Sequence, residues 1–471
     1  GTDSFQETDM IGISRPIVKH SFVVHDTKDI PRIVQEAFYI ATSGRPGPVV
    51  IDIPKDKTDP NHLYDYKREK KVSIRSYQPK ALPHPGQIKK ASKNILSAER
   101  PVIYAGGGVI LGNAHKELIA LNKILKVPVT NTLMGLGSYP ANNKHFMGML
   151  GMHGTYQANM AMHNADLIIA IGARFDDRIT NTPSLFSPKA RIIHIDVDPA
   201  SISKIINADI PIVGQVKESL NALIKEIKRS KLKIDSDAID SWNSQIATWR
   251  AKHGLDHELY LKKTKSKMIL PQVVVQELYQ ATNGNAWVTS DVGQHQMFVA
   301  QYYHFNKPRR WINSGGLGTM GFGLPAAMGA KLAYPKDEVV CVTGEGSIQM
   351  CIQELSTCLQ YNLPIKIINI NNEALGMVRQ WQDMNYGGRH SASTYADSLP
   401  DFVKLAESYG HVGMKVTKQS QLRKTLDKAF AMKDRLVFVD VYVDPNEHVY
   451  PMLVAPSGSM QDMWIKKNTK A

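Results

Sequence analysis

Short apolar segments recur along the chain, and they lack the alternation of polar and apolar residues that marks a half-exposed strand. These segments are residues 101–105, 127–130, 166–171, 191–196, 339–343, 364–370 and 435–443. An unbroken apolar strand indicates burial on both faces, as in a parallel sheet that is covered by helices. Segments with helical spacing of apolar residues lie between them, for example residues 348–360. The pattern predicts an α/β fold built from doubly wound parallel sheets.

The length of the chain and its linkers predict several domains. It has 471 residues, which is more than one hydrophobic core accommodates. The predicted organisation is an N-terminal α/β unit (1–60), a linker (61–85), a central domain (86–228), a second linker (229–270) and a C-terminal domain (271–471). The N-terminal unit has one clear helix (29–41) and one clear strand (48–53), too little to bury a domain core. In the second linker, Trp242 and Trp249 stand in a polar setting and are expected to pack against a domain.

Composition limits the class of protein. The chain is 43% apolar and 21% charged, which is typical of a globular protein. No apolar run approaches the length that crosses a bilayer, so no association with a membrane is predicted. Cys341, Cys351 and Cys358 lack the spacing of a disulfide framework or a metal site. We therefore expect a cytoplasmic enzyme.

The net charge of +14 raises the question of nucleic-acid binding. Residues 55–80 hold eight Lys or Arg against four Asp or Glu, and residues 225–267 hold eleven against six. Both segments overlap the predicted linkers, and neither interleaves its basic residues with aromatic ones as a single-strand-binding groove does. We interpret the excess charge as solvated linkers, and no nucleic acid is predicted as a partner.

A carboxylate stands between two glycines at the end of the apolar strand 339–343, in the sequence Gly344-Glu345-Gly346. Ligands of open α/β sheets gather at the carboxyl ends of the strands. Asn372 follows the next strand, at a spacing that fits one helix plus one strand, so the two side chains should meet at one edge of the sheet. Carboxylate and amide oxygens suit Mg²⁺, which bridges to substrate phosphates. The alternative is a pair of turns that bind no ligand.

Glycines also follow strands in the central segment. Residues 106–108 are three glycines after one strand, and Gly172 follows another, with Arg174 and Arg178 close behind. Such glycines allow a backbone to approach a pyrophosphate, and arginine suits phosphate or a ring face. A loop without a ligand is the alternative for each piece taken alone.

The spacing of Glu345 and Asn372 resembles the thiamine diphosphate motif, in which Mg²⁺ joins the diphosphate to the protein. Other stretches resemble acetohydroxyacid synthase, catalytic subunit, of the bacterial type, and these are residues 43–48, 291–297, 314–321 and 376–382. The resemblance implies three thiamine-enzyme α/β domains, the first one incomplete, and the cofactors thiamine diphosphate, Mg²⁺ and FAD. The family has Asp where this chain has Glu345. The additional methylene extends the carboxylate by roughly 1.3 Å, so metal binding is expected to need local adjustment.

The resemblance also assigns roles to residues. The residues expected to line the approach of substrate are Phe5, Gln6, Lys55, Met377 and Trp381. The metal would be held by Glu345, Asn372 and the Ala374 carbonyl. The cofactor-binding residues would be Arg45, Gly106, Gly107, Gly108, Thr130, Leu150, Gly151, Met152, His153, Gly172, Ala173, Arg174, Asp176, Arg178, Asp196, Val197, Val292, Gly293, Gln294, His295, Gln296, Met297, Gly318, Met320, Gly344, Gly346 and Ser347.

Within that set, Gln294, His295 and Ser347 would face the diphosphate, and Gly318 and Met320 would hold the aminopyrimidine. Residues 448–451 resemble a C-terminal tail that closes over the site. The FAD would be largely structural, because the net reaction is not a redox step.

The implied activity is decarboxylation of pyruvate and transfer of the two-carbon unit to pyruvate or 2-ketobutyrate. The products would be 2-acetolactate and 2-aceto-2-hydroxybutyrate, in the biosynthesis of branched-chain amino acids. The implied partners are a second copy of the chain, as a homodimer or a dimer of dimers, and a small regulatory subunit. Two other readings stay open, namely an FAD-dependent pyruvate oxidase-like enzyme and a fragment that binds cofactors without turnover.

The family places its aminopyrimidine-protonating glutamate before the stretch that corresponds to residue 1. Glu7 and Glu36 fall after that place. The carboxylate of this glutamate acts as a general acid and base when the reactive carbanion forms. We therefore expect residues 1–471 alone to make little acetolactate.

Overall fold

The computed structural model describes residues 3–61, 63–66, 71–255, 266–395, 398–455, 457–466 and 469–470. Its strands, numbered in chain order, are β1 (His20–Val23), β2 (Val49–Asp52), β3 (Pro101–Ala105), β4 (Val129–Asn131), β5 (Phe146–Met149), β6 (Leu167–Ile171), β7 (Arg191–Asp196), β8 (Ile210–Val213), β9 (Trp287–Ser290), β10 (Trp311–Ile312), β11 (Val339–Thr343), β12 (Lys366–Asn371), β13 (Val412–Val416), β14 (Val437–Tyr442), β15 (Met452–Leu453), β16 (Met463–Lys466) and β17 (Thr469–Lys470).

The α-helices are numbered in the same way. They are α1 (Met10–Ser14), α2 (Ile30–Thr42), α3 (Pro85–Leu96), α4 (Gly107–Leu111), α5 (His115–Leu125), α6 (Tyr156–Asn164), α7 (Asp177–Thr180), α8 (Val216–Arg229), α9 (Ser236–His253), α10 (Pro271–Ala281), α11 (Gln294–Tyr302), α12 (Gly323–Ala333), α13 (Glu345–Ile348), α14 (Glu354–Gln360), α15 (Gly376–Asn385), α16 (Phe402–Ser408) and α17 (Gln419–Ala431).

The central sheet has six parallel strands in the order β5-β4-β3-β6-β7-β8. Neighbouring residues of β3 face opposite sides, as successive strand residues must. Ile103 packs in a buried cluster with residues of α3, α5 and α8, whereas Val102 packs in another with residues of α6 and α9. Helices therefore cover both faces, which explains why every residue of β3 is buried.

The C-terminal sheet also has six parallel strands, in the order β10-β9-β11-β12-β14-β13. Val340 of β11 packs with residues of α10, α11 and α17, and Cys341 packs on the other face with residues of α12, α14 and α16. The two sheets confirm the predicted α/β fold with doubly wound parallel sheets. All three cysteines lie free and buried in the second of these clusters.

Two details of the sequence prediction were wrong or incomplete. The helical pattern that begins at Ile348 is not one helix, because α13 ends there and α14 begins six residues later. The second predicted linker contains α9, an 18-residue helix. Its Trp242 is 4% exposed and donates its indole N–H to the Pro101 carbonyl at 3.2 Å, which confirms the expected packing of this residue against a domain.

The N-terminal unit pairs β1 and β2 in a two-stranded parallel sheet with α2 packed beside it. The strand β1 was not predicted. Lys19 ties the unit to the first linker, because its ammonium donates to the Ser43 carbonyl at 2.6 Å and to the Tyr77 hydroxyl at 2.7 Å. Within the described ranges, no helix is both long and apolar enough to cross a membrane.

The segment after β14, here called the tail (residues 443–466), joins the central and C-terminal domains. Leu453 N–H donates to the Met152 carbonyl at 2.8 Å, and the Asn181 amide donates to the Val454 carbonyl at 3.0 Å. On the other side, the backbone of Val449 is bound by the side chain of Gln380 in α15. The tail therefore crosses the boundary between the two domains.

Candidate active site

A cavity of about 430 Å³ lies between the central and C-terminal domains. The central domain contributes residues that follow β4 and β5 and the start of α7. The C-terminal domain contributes the turns that follow β9, β11 and β12 and the first turns of α11 and α15. The predicted site residues that line it are Leu150, Met152, His153, Arg178, Val292, Gly293, Gln294, His295, Gln296, Met297, Gly318, Met320, Gly344, Glu345, Gly346, Ser347, Asn372, Ala374, Met377 and Trp381.

The carboxyl ends of β11 and β12 bring Glu345 and Asn372 together. The Glu345 carboxylate accepts the Ala374 N–H at 2.8 Å, and the Asn372 side-chain oxygen accepts the same N–H at 3.2 Å. The side-chain oxygens of two predicted metal ligands, Glu345 and Asn372, therefore meet at the Ala374 N–H, and the role of the Ala374 carbonyl stays a prediction. Among the described residues, no group of three or more His, Cys, Asp or Glu side chains has the geometry of a metal site. A divalent ion at this point would depend on amide and carbonyl oxygens in addition to Glu345.

Glu345 is 1% exposed, and burial raises its pKa to about 7. Hydrogen bonds from backbone N–H groups, including those of Ala374 and Asn372, act in the opposite direction. A buried carboxylate with only these partners is under-compensated, and an added cation would favour its charged form. The donor set of hard oxygens therefore fits Mg²⁺.

The turn after β9 is positioned by Asp291. Its carboxylate accepts the Gly323 N–H at 2.8 Å and the Thr343 hydroxyl at 2.7 Å, so one side chain connects β9, β11 and α12. The turn leads into α11 through Gly293, which adopts φ +152°. The Ser347 hydroxyl donates to the Val292 carbonyl at 3.1 Å. These contacts set the turns after β9 and β11 side by side at the cavity wall.

Two histidines that line the cavity each have a buried ring nitrogen with no hydrogen-bond partner among the described residues. These atoms are Nε2 of His295 and Nδ1 of His153. Burial lowers the pKa of His295 to about 3 and that of His153 to about 4, so both rings are neutral at pH 7. Buried polar atoms normally have partners. The cavity therefore has the character of a site for a polar ligand.

The helix α15 forms the wall opposite these turns. Met377 and Trp381 line the cavity, one turn apart on the same face. Farther along α15, the Asp383 carboxylate lies 2.9 Å from Nε2 of His448 and 2.7 Å from Nε2 of His390. The tail is thereby held against the helix whose first turns face the cavity. Closure of residues 448–451 over the site stays a prediction, because none of them lines the cavity.

Other predicted cofactor residues lie outside the cavity, near the carboxyl ends of the central strands. They are Arg45, Gly106, Gly107, Gly108, Thr130, Gly151, Gly172, Ala173, Arg174, Asp176, Asp196 and Val197. Arg174 lies 3.4 Å from Asp176, and Arg45 lies 3.6 Å from Asp198, which follows β7. The structure brings this second set together around β3, β6 and β7.

The glycines of this second set pack against each other. A methyl group at Gly108 would lie 2.6 Å from Cα of Gly172, and a methyl group at Gly106 would overlap the Gly172 carbonyl. Both positions therefore require glycine because two backbones touch. Internal packing alone therefore explains why these positions are glycine, whether or not a ligand binds nearby.

The structure does not bring Phe5, Gln6 and Lys55 to the cavity of the same chain. All three are exposed residues of the N-terminal unit, and Phe5 is 92% exposed. Their predicted place in the substrate approach depends on a second copy of the chain, so it stays a prediction.

Some residues of the site were missed by the sequence analysis. Gln380 is fully buried and binds both Gln294 and the tail. Asp291 is the first residue of the stretch 291–297, yet no role was assigned to it. Gln380 lies between Arg379 and Trp381 and gives no periodic signal of its own, whereas Asp291 could have been found as an acidic residue directly after a buried strand.

Comparison with known proteins gives two matches to family models. Residues 88–223 match the thiamine pyrophosphate enzyme, central domain, and residues 291–441 match the thiamine pyrophosphate enzyme, C-terminal TPP binding domain. The first range contains every strand of the central sheet, and the second contains β10 to β13 and all but the last residue of β14.

Similar proteins extend over the whole chain. It is 54% identical to the acetolactate synthase isozyme 3 large subunit of Escherichia coli K12, over 100% of this chain and 81% of that protein. It is 54% identical to the acetolactate synthase large subunit of Haemophilus influenzae, over 99% and 80% of the two chains. For the large subunit of Cyanidium caldarium the identity is 43%, over 100% and 79%.

Proposed function

This chain belongs to the acetolactate synthase large-subunit family of thiamine pyrophosphate enzymes, and we propose that it converts pyruvate to 2-acetolactate. With 2-ketobutyrate as the second substrate, the product is 2-aceto-2-hydroxybutyrate. The observation that carries this proposal is the meeting of Glu345 and Asn372 at the cavity, because hard oxygen ligands at a sheet edge suit a metal-bridged diphosphate.

Magnesium is assigned to Glu345, Asn372 and the Ala374 carbonyl. Two observations support this assignment: the side-chain oxygens of Glu345 and Asn372 share one N–H partner, and the carboxylate of Glu345 is buried. The longer side chain of Glu345 is accommodated because its carboxylate reaches the Ala374 N–H at 2.8 Å. The turn around these residues would hold the metal against the diphosphate of the cofactor.

When bound, thiamine diphosphate supplies the carbanion and the electron sink that decarboxylation of a 2-keto acid requires. The residues of this chain would bind the cofactor, orient it and shield the reacting carbon from water. Neutral His295 offers a ring nitrogen without a hydrogen-bond partner among the described residues and adds no positive charge. The Ser347 hydroxyl would donate to a diphosphate only after releasing the Val292 carbonyl. Met377 and Trp381 form an apolar wall that excludes water from the reacting carbon.

FAD is assigned to the second residue set, at the carboxyl ends of β3, β6 and β7. The support is chemical: Arg174 and Arg178 have half-exposed side chains, and arginine binds phosphate in a bidentate manner. His153, which has a buried ring nitrogen without a partner among the described residues, lines the cavity together with Arg178. The flavin has a structural role in this proposal, since the reaction needs no net electron transfer.

A second copy of the chain completes the proposed site. Phe5, Gln6 and Lys55 are exposed in one chain, and they would reach the cavity of a partner across the interface of a homodimer. Since the relatives are named large subunits, a small regulatory subunit is also proposed as a partner.

The product formed from pyruvate tests the activity. Purified protein is supplied with thiamine diphosphate, Mg²⁺ and FAD, and the product is identified by mass spectrometry. Acetolactate that increases when Mg²⁺ is added would support the proposal, and only a small yield is expected from residues 1–471 alone if the reaction needs the family's glutamate. Acetyl phosphate with reduction of FAD would instead identify an oxidase, and no product together with no cofactor binding would refute both activities.

A further inference from the structure

The side chain of Gln380 lies between the tail and the proposed metal site, and it is fully buried. Its amide oxygen accepts the Val449 N–H at 2.9 Å, and its amide nitrogen donates to the Val449 carbonyl at 3.1 Å. A backbone N–H only donates and a carbonyl only accepts. The backbone of Val449 therefore determines which way the amide of Gln380 faces.

This orientation continues through two more amides. The same oxygen of Gln380 accepts a hydrogen bond from Nε2 of Gln294 at 2.8 Å, as a carbonyl oxygen with two lone pairs can. The oxygen of Gln294 is then left to accept from Nδ2 of Asn372 at 3.0 Å. Asn372 is thereby turned so that its own oxygen faces the Ala374 N–H and the carboxylate of Glu345.

We propose that Gln380 is a positioning residue for the metal site, because it passes the fixed orientation of the Val449 backbone through Gln294 to Asn372. This inference rests on the proposed function, in which Asn372 is a ligand of Mg²⁺. Only the oxygen of an amide can coordinate a metal, since the NH₂ group has no available lone pair. Among the described residues, the other groups that orient this pair of amides are the Glu447 carbonyl, 3.5 Å from Nε2 of Gln294, and the Ala374 N–H, 3.2 Å from the oxygen of Asn372. Both contacts are longer than the 2.8 Å hydrogen bond from Gln294 to Gln380, so without Gln380 the oxygen of Asn372 is held less firmly towards the metal.

The hydrogen bonds from Val449 through Gln380 and Gln294 to Asn372, here called the relay, also connect the tail to the metal site. When the tail is docked at Val449, Asn372 is held in the orientation that binds Mg²⁺. By thermodynamic reciprocity, Mg²⁺ binding must stabilise the docked tail to the same extent. Gln380 lies in the stretch 376–382 that the sequence analysis singled out, but its uncharged amide gives no charge pattern that would indicate this role.

The experiment compares Mg²⁺ affinity in the parent protein and in Gln380→Met. Mg²⁺ is titrated in the presence of saturating thiamine diphosphate, and binding is followed by tryptophan fluorescence, to which Trp381 in the cavity wall contributes. Partners of metal ligands are typically worth roughly 10–100-fold in metal affinity, so Gln380→Met should weaken Mg²⁺ binding by at least about tenfold. An unchanged affinity would overturn the proposal.

Gln380→Glu tests the orientation itself. Burial keeps this carboxyl group protonated. Its carbonyl oxygen can accept from Val449 and Gln294, and its O–H can donate to the Val449 carbonyl. The Mg²⁺ affinity should therefore return close to that of the parent. A Gln380→Glu protein as weak as Gln380→Met would contradict the relay.

Gln301→Met is the matched control, because Gln301 also binds the tail but has no contact with Asn372. Its amide donates to the Tyr450 carbonyl at 3.2 Å and to the His153 carbonyl at 2.9 Å, and it is 8% exposed. If docking of the tail alone mattered, Gln301→Met would weaken Mg²⁺ binding as much as Gln380→Met does. That result would overturn the proposal, and a clear difference between the two supports it.

Two further measurements distinguish a failure of the relay from a failure to fold and from a failure of the proposed function. Circular dichroism of each variant without Mg²⁺ reports whether it folds. If Gln380→Met does not fold, Gln380→Asn carries the same expectation, since its amide is too short to reach both Val449 and Gln294. If the parent itself shows no Mg²⁺-dependent binding of thiamine diphosphate, the proposed function fails and this inference falls with it.

Discussion

The central and C-terminal sheets have the same architecture but place different chemistry at equivalent points. In each sheet, the chain order reverses between two neighbouring strands, β3 and β6 in the central sheet and β9 and β11 in the C-terminal sheet. Ligands of open α/β sheets bind outside the carboxyl ends of the strands at such a point. At the central point, the backbone of Gly108 touches that of Gly172. At the C-terminal point, Glu345 and His295 line a cavity, and Asp291 lies buried behind them with a hydrogen bond from Thr343.

This difference shows that the topology of the sheet determines where a ligand can bind, and that the residues at that point determine whether one does. Glycines at the central point let two backbones pack closely, which closes the crevice between β3 and β6. Any ligand there must be held by residues farther out, such as Arg174 and Arg178. Polar side chains at the C-terminal point keep the crevice open and surround it with hydrogen-bonding groups. The following predictions test that contrast.

The largest effect is expected for Glu345→Gln, which removes the charge from the open crevice. Partners of metal ligands alone are worth roughly 10–100-fold, so losing a charged ligand should weaken Mg²⁺ binding by at least about a hundredfold. The measurement is a Mg²⁺ titration with saturating thiamine diphosphate. Glu345→Asp keeps the charge, so its Mg²⁺ affinity should be far closer to that of the parent than the affinity of Glu345→Gln is.

The matched control for this test is Glu373→Gln. Glu373 lies one residue after Asn372, but its side chain is exposed. Its loss should leave Mg²⁺ affinity unchanged. Equal losses of Mg²⁺ affinity in Glu345→Gln and Glu373→Gln would mean that the overall negative charge, and not coordination by Glu345, determines how tightly the metal binds.

The second test fills the closed crevice. In Gly108→Ala the added methyl group meets the backbone of Gly172 at 2.6 Å, and overpacking of this kind costs about 1–3 kcal/mol of unfolding free energy. Gly329→Ala is the control, because Gly329 is an exposed residue within α12 with open space around it. That change should stabilise the protein by roughly 0.5–1 kcal/mol.

Urea unfolding of both glycine variants measures these differences. If Gly108→Ala kept the stability of the parent and instead lost affinity for FAD, the glycines would serve close approach to a ligand. The contrast between a closed and an open crevice would then be wrong.

The sequence predicted the parts of this comparison that depend on periodicity. The bounds of β3, β7 and β11 matched, because an unbroken apolar run of strand length has few alternatives in an α/β chain. The approach of Glu345 and Asn372 followed from the rule that parallel strands end at one edge.

Other features could not be predicted, for identifiable reasons. The apolar spacing of Ile348, Cys351, Leu355 and Cys358 fits one helix or two helices that share an apolar face, so the break between α13 and α14 left no trace. The role of Gln380 depends on the backbone of a segment about 70 residues away, which no local pattern records. The glycines after β3 were interpreted through ligand binding because their contact with Gly172 is a tertiary one.

A third prediction concerns which keto acid the open crevice accepts. If the indole of Trp381 contacts the additional methyl group of 2-ketobutyrate, Trp381→Leu should lower the preference for it over pyruvate by about tenfold, since one methylene in an apolar pocket is worth roughly 10–200-fold. Competition between the two acceptors gives the product ratio. Trp249→Leu, which removes an indole that packs on Trp242 in α9, should leave this ratio unaltered.

The smallest effect concerns His153, in the wall that the central domain contributes to the cavity. Burial lowers the pKa of His153 to about 4, below its usual value of 6.5. The unfolded chain therefore binds a proton between pH 6.5 and 4 that the folded protein does not, so the stability contribution of this residue is complete above pH 6.5 and declines as the pH falls towards 4. Between pH 7.5 and 5.5 the loss should be about 1 kcal/mol in the protein without cofactors. His153→Gln should remove that part of the pH dependence, as measured by urea unfolding at both pH values. Parallel losses in the parent and in His153→Gln would show that the ring is charged or solvated at the cavity, which would contradict its burial between the two domains.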